Sequence, residues 1–564
     1  MTESVNSVID RADIELHTNT DQLPINIFDY NKNTFGIIRL KMKKTKITNT
    51  PLFLLFTIDK TSSIVEPATL YSTKMEVLIQ TFKNMIHYLS KQDTPIYIRI
   101  HSFSETVDLT IDTVRVTPSN VLEIIQCIEN LTADGSTDIG GALKSAEKEL
   151  QKYSELNPTH QIAHIFMTDG EPTCGQLDHT LLNNLVNDTF ANIFVGFGLE
   201  HNVGLFRKFS ENKNAEYQFV DNMENTALIY GETIHRFLYP AIKDVKIVIE
   251  NGHIYNWKTN TWGTTIEEPV IVSEIEKIYH VKTTDDGHNL IIGELYGTVC
   301  AVPDDSTSCD STSGEVVDPE NKLLDTLISV PDLIDYDGKI VFPTDLTKYI
   351  FRQKTQEILF EARSINYSNR HHFKSTVKDL FRKLHKYMRE NELLDDPLLK
   401  LLCEDISVVY KSLGSRHGAA YINARIFSQG NQQAYNIDSS SIPDTGEDVD
   451  YAQPKTPLKR RPNNFPDILT PPPPVLLRRP LSHLKLFDEQ DDESQTDLFT
   501  DILATLSKND SNPSLSNELL QSTTDDYEFI SDDEIEKYIP DGDTTTCYAT
   551  PSVLKTMRNI NNQK

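Results

Sequence analysis

Three short oxygen-rich segments carry the chemistry this chain could do. Asp59-Lys60-Thr61-Ser62-Ser63 follows the apolar run PLFLLFTI at 51–58 and offers a carboxylate and two hydroxyls at alternating positions, Asp59, Thr61 and Ser63. Asp134-Gly135-Ser136-Thr137-Asp138 precedes a helical pattern that starts near Ile139. Met167-Thr168-Asp169-Gly170-Glu171 follows a second apolar run, IAHIFM at 162–167. Hard cations such as Mg²⁺ take oxygen ligands in octahedral geometry, keep several waters and use few carboxylates. Segments with several hydroxyls and only two or three carboxylates meet that need. They also leave the ion under-neutralised, so that it attracts a carboxylate from outside. Lys60 stands beside this set, and its ammonium would weaken cation binding if it folded inward.

Elements of two kinds must hold these segments. PLFLLFTI, PIYIRIHSF at 95–103, IAHIFM and NIFVGFGL at 192–199 are short, continuous and aliphatic, which marks strands buried on both faces. Between them lie helical patterns at Met75–Leu89, Asn120–Leu131, Ile139–Tyr153 and Thr180–Phe190. Alternation at this spacing predicts an α/β fold, a doubly wound and mostly parallel sheet of the Rossmann-like kind. In such sheets ligands bind beyond the carboxyl ends of the strands, where the first and third segments fall. FGIIRLKM at 35–42 reads as a first strand of the same unit, after a flexible N-terminal segment at 1–35.

A strand followed by D-x-[S/T]-x-S, a later G-x-T before a helix, and a strand followed by T-D-G resembles the von Willebrand factor type A domain and its metal-ion-dependent adhesion site. The resemblance covers roughly 36–240. It implies Asp59, Thr61, Ser63, Thr137 and Asp169 as ligand positions for one Mg²⁺ or Mn²⁺, some of the carboxylates acting through water. Thr61 departs from the serine usual in the family; it keeps the hydroxyl and adds a methyl. The implied function is divalent-metal-dependent protein–protein interaction, with an acidic residue of a protein partner completing the coordination. GIIRLKM, NLIIGELYG, LTKYIFRQKTQEILFEARSI and AYINARIFSQGNQQAY at 420–435 are similar to multidomain A-domain proteins of plants, protists and large DNA viruses. In those, the A domain precedes a β region described as intein-like. Plant members often begin with a RING finger; none is present here, so ubiquitin-ligase activity does not carry over.

The rest of the chain divides by composition. From 241 to 344, short strands separated by Asn-Gly, Asp-Gly and Pro predict a small β domain. From 345 to 440, Phe373, Val377, Leu380, Phe381, Leu384 and Met388 share one helical face, and Leu398, Leu401, Leu402, Val409 and Leu413 another, predicting a helical hairpin. From 441 to 564 the chain is Pro-rich and then acidic, and reads as a disordered tail. Its proline run within 470–480 resembles a ligand for SH3 or WW domains. Leu486–Thr545 holds 18 acidic and 2 basic residues, more than half of the net charge of −29 on 564 residues. That balance argues against nucleic acid as a partner.

Six scattered cysteines without a C-x-x-C pair predict neither zinc nor a disulfide framework. No signal peptide and no membrane-spanning run is read, so a soluble intracellular protein is expected. Catalysis is not expected: Asp134, Asp138, Asp169 and Glu171 are better explained as metal-site or loop residues. Self-processing by the β region would need a nucleophile and an activating histidine, and Cys300, His253 and His280 form no recognisable set. A ubiquitin-pathway adaptor, a self-processing enzyme and a purely structural scaffold are the alternatives. The His371-His372 pair reads as a solvated helix face.

Overall fold

The computed structural model describes residues 8–18, 34–66, 73–198, 201–220, 226–284, 290–300, 322–329, 344–365, 369–413, 415, 418–433, 535, 538 and 547–561. The proline run at 470–480 lies outside them.

The α/β unit begins at β3 (Leu52–Asp59), a strand with all eight residues buried. It continues through α1 (Lys74–Leu89), β4 (Ile96–Phe103), β5 (Val107–Arg115), α2 (Val121–Glu129) and α3 (Ile139–Leu156). Then come β6 (Gln161–Thr168), α4 (His179–Asn183), β7 (Ala191–Phe197), α5 (Val203–Phe209), β8 (Ala215–Val220) and α6 (Thr226–Leu238). The sheet order is β5-β4-β3-β6-β7-β8, all parallel except β5, which returns antiparallel along β4. Side chains alternate across a strand, so β3 must be apolar on both faces to lie at the centre. Leu52, Leu54, Phe56 and Ile58 pack with α1, α2 and α6, while Phe53 and Leu55 meet Ala146 and Leu150 of α3. The expected α/β class and its mostly parallel sheet are what the chain forms. Strands β5 and β8 were not read from the sequence; β5 is largely exposed and β8, AEYQFV, mixes polar and apolar residues.

The boundary at 36 is a correction. Strand β2 (Phe35–Met42) pairs with β1 (Ile9–Leu16) and with β13 (Glu276–Thr283), outside the α/β sheet. Together with β10 (Gly252–Asn256) and β11 (Thr261–Gly263) they form one antiparallel sheet. A second sheet holds β12 (Thr265–Val272), β9 (Pro240–Glu250), β14 (Ile292–Val299) and β15 (Lys322–Ile328). Ile38 and Leu40 of the first sheet share an apolar core with Ile247 and Leu295 of the second, giving a β-sandwich. The α/β unit is therefore an insertion between β2 and β9. Residues 9–16, expected to be flexible, are a strand of that sandwich. The register explains this: Ile14 and Leu16 face inward opposite Ile38 and Gly36.

The expected helical hairpin is four helices: α7 (Thr347–Ala362), α8 (Arg370–Glu390), α9 (Pro397–Ser412) and α10 (Gly418–Asn431). The apolar face read for α8 is buried, and His371 and His372 are exposed. Arg425 of α10 is buried against Glu404 and Asp405 of α9, each 0% exposed. The tail reading also needs correction, at its end. Helix α11 (Pro551–Asn561) packs on α1 and α6, with Val553 buried, Met557 against Gly231, and Thr556 Oγ1 3.3 Å from Tyr88 Oη. Val553 and Met557 stand one turn apart, a stripe too short to outweigh the polar composition around it.

Candidate metal centre

Asp59 ends the central strand, and its carboxylate is 0% exposed. It accepts the Thr61 N–H at 2.7 Å on one oxygen and the Thr168 hydroxyl on the other. Burial pushes this carboxyl up to about 6, although both hydrogen bonds act in the opposite direction. Thr61 caps a single 3₁₀ turn, Ser62–Val65, which brings Ser63 back beside it with Thr61 Oγ1 and Ser63 Oγ 3.1 Å apart. The Ser63 hydroxyl donates to Asp169 Oδ1 at 2.9 Å. Asp169, directly after β6, is also 0% exposed. The two strands that deliver Asp59 and Asp169 are hydrogen-bonded neighbours, so both carboxylates emerge at one sheet edge.

Thr137 arrives from the second loop and is buried. Its backbone N–H donates to Thr173 Oγ1 at 2.8 Å, and its carbonyl accepts the Thr173 N–H at 3.0 Å. A methyl placed on Gly170 would stand 3.6 Å from Thr137 Oγ1 and 3.8 Å from Ser63 Oγ, so both hydroxyls flank the Asp169-Gly170 turn. Asp138 takes another role: it caps α3 by accepting the Gly141 N–H at 2.9 Å. Its carboxylate fills the space above Gly175, where φ is +69° and a side chain would collide at 2.1 Å. These contacts tie the second and third loops together. All five residues expected as ligands thus converge, while Asp134 and Glu171 stay exposed.

Lys60 does not fold inward. Its ammonium lies 3.0 Å from Asp134 Oδ1 and 3.2 Å from Asp108 Oδ2. The cation that does enter is one that sequence reasoning missed. Lys74, the first residue of α1, places Nζ 2.8 Å from Asp169 Oδ2 and 3.0 Å from Glu66 Oε2. Burial disfavours its charge, but hydrogen bonding and attraction to Asp169 and Glu66 outweigh this and hold it above the ordinary lysine range. The signal was present in T-K-M-E: Thr73 and Glu76 form a capping box, and a lysine inside it opposes the helix dipole. Thr168, the hydroxyl partner of Asp59, was likewise missed as a site residue.

The donor set is two buried carboxylates and three hydroxyls. Among the described residues no group of three or more His, Cys, Asp or Glu is arranged to hold a metal. A transition-metal site of imidazole and thiolate has no basis in these residues. Oxygen donors that are few in charge and rich in hydroxyls fit a hard dication that retains water.

No family model matches the chain. Among curated proteins it is similar to inter-alpha-trypsin inhibitor heavy chain 4 of Mus musculus, 24% identical over 199 residues, 34% of this chain and 20% of that protein. It is also similar to the uncharacterized protein YfbK of Escherichia coli K12, 23% identical over 203 residues, 35% of this chain and 33% of that protein. The chain therefore spans a third or less of these relatives' length. Among solved structures it is similar to a von Willebrand factor type A protein from Catenulispora acidiphila, with TM-score 0.48 and 13% identity over 75% of this chain and 97% of that one. The ArnB paralog VWA2 from Sulfolobus acidocaldarius has TM-score 0.42 and 12% identity over 74% of this chain and 98% of that one. No helix among the described residues is long and apolar enough to cross a membrane.

Proposed function

We propose that residues 52–238 are a von Willebrand factor type A module that binds a protein partner through one divalent cation. The observation that carries this reading is the meeting of Asp59, Thr61, Ser63, Thr137 and Asp169 at the carboxyl edge of β3 and β6. These five residues would hold the ion, Mg²⁺ or Mn²⁺ by the hardness of their oxygens. When bound, the ion supplies a positive centre for an acidic side chain of the partner. The chain's own residues set the geometry: Thr168 and the Thr61 N–H orient Asp59, Asp138 fixes the turn that presents Thr137, and Gly170 leaves room above both hydroxyls.

The role is binding rather than catalysis. Of Cys300, His253 and His280, the residues a self-processing reading would draw on, Cys300 and His280 are engaged elsewhere. The Cys300 thiol donates to the Thr298 carbonyl at 3.3 Å, and His280 Nδ1 lies 2.6 Å from Gln353 Oε1 in the interior. A titration of the full chain with Mn²⁺ by calorimetry tests the site: one binding event for wild type and none for Asp169→Ala is expected. Retention of an acidic peptide or protein on the immobilised chain should require Mg²⁺ and fail in EDTA. Wild-type retention in EDTA equal to that in Mg²⁺, or retention by Asp169→Ala in Mg²⁺ equal to that of wild type, would refute the metal-dependent reading.

A further inference from the structure

We propose that Lys74 is a resident counter-cation of this site, which a divalent ion must displace from Asp169 onto Glu66. The inference rests on the metal-binding reading above. Asp169 has no exposed surface, and its two oxygens are taken by Ser63 on one side and Lys74 on the other. An ionised carboxylate so placed requires a partner charge, since burial without one is heavily unfavourable. Lys74 supplies it in the metal-free protein. Its stem crosses the end of β7, with Cε 3.6 Å from the position a methyl would take on Gly198, where φ is +67°. A second acceptor stands ready on the solvent side: Glu66 Oε2 is 3.0 Å from the ammonium, and its side chain is 59% exposed. The ammonium can therefore keep an ion pair while releasing Asp169.

The position in the helix sharpens the point. A lysine in the first turn of α1 faces the positive end of the helix dipole, so nothing in helix formation favours it there. Its benefit lies in the charge it meets across the crevice. Lys60 has the same charge and adjoins Asp59 in sequence, yet it is committed to Asp134 and Asp108. The two lysines thus separate a specific contact from a general electrostatic effect.

Calorimetric titration of full-length wild type, Lys74→Met, Glu66→Gln and Lys60→Met with Mn²⁺, paired with thermal melts in EDTA and in Mn²⁺, tests the proposal. Removing an ammonium held beside a dication should tighten Mn²⁺ binding by about tenfold, even with strong screening. Glu66→Gln should weaken it, because the displaced ammonium loses its acceptor, and Lys60→Met should leave it within about twofold. In EDTA, Lys74→Met should melt below wild type, and saturating Mn²⁺ should close that gap. A lysine that merely braces the fold would leave the gap open in both conditions. Equal Mn²⁺ affinity for wild type and Lys74→Met overturns the displacement and leaves the metal site standing. Tightening by Lys60→Met equal to that by Lys74→Met overturns the specific contact. Absence of Mn²⁺ binding in every variant overturns both the site and the displacement.

Discussion

Replacing Asp59 by asparagine separates the cost of the buried charge from its use. The carboxylate has no exposed surface, and burial raises it to about 6 from an ordinary value near 3.8. A displacement of about two pH units corresponds to about 3 kcal/mol of stability missing from the metal-free protein at neutral pH. Asparagine keeps the volume and both contacts: its carbonyl accepts the Thr61 N–H, and its amide meets Thr168 Oγ1, which can accept as well as donate. Some strength is lost because neither contact is any longer charge-assisted. In EDTA at neutral pH, Asp59→Asn should therefore gain about 1–3 kcal/mol in urea unfolding. The sign with pH follows from the raised carboxyl. The folded protein takes up the proton first on acidification, so the penalty is full above about 6, shrinks as pH falls from there, and is gone below about 4. The advantage of the variant should fade over that window. Added Mg²⁺ should act in the opposite sense, raising wild type by about 2.7 kcal/mol at a hundred times its dissociation constant. Asp59→Asn should not respond. A variant less stable than wild type in EDTA by more than about 1 kcal/mol, or one with the wild-type Mg²⁺ response, would refute this account of the strand end.

Deleting residues 547–564 removes α11, with Val553 buried and Thr556 against Tyr88, and should cost about 2–4 kcal/mol in urea unfolding. Amide exchange should rise in α1 and α6; unchanged protection there would contradict the packing. Arg425→Met leaves Glu404 and Asp405 buried without their cation and should cost about 3–5 kcal/mol. Adding Glu404→Gln and Asp405→Asn should recover most of that loss, and no recovery would place the defect in packing.

What could be read from the sequence follows from where each signal resides. The central strands were legible because a parallel strand covered on both faces must be a continuous apolar run, as in LFLLFT. The grouping of Asp59, Thr61 and Ser63 was legible because turns at strand ends are local, whereas Thr137 and Asp169 joined them only through the resemblance. Lys74 was not legible, because its meaning is an ion pair 95 positions away in the chain. The β-sandwich boundary failed for a related reason. FGIIRLKM states that it is a strand but not which sheet it joins, and its partners come from either side of the insertion, Ile9–Leu16 and Glu276–Thr283. Pairing between distant segments leaves no periodicity in either one.

The insertion also decides which way the site faces. The chain enters the α/β unit at 43–51 and leaves it at Tyr239, and these passages touch: the Thr48 N–H donates to the Leu238 carbonyl at 2.9 Å, and the Thr45 N–H to Ser273 Oγ at 2.8 Å. Both lie at the amino ends of the parallel strands, where β3 begins. The site lies at the other end of β3, seven residues on from Leu52, which at the rise of a strand is about 23 Å away. A unit held by both termini at one edge leaves the opposite edge clear of those attachments, and that edge carries the hydroxyls and the buried carboxylates. Helix α1 spans a similar distance from Lys74 at the site to Tyr88, which meets Thr556 of α11, and α11 is itself tied to the sandwich by the Ser552 N–H donating to Glu274 at 3.0 Å. The sandwich and α11 therefore hold the unit away from the strand ends that carry the site.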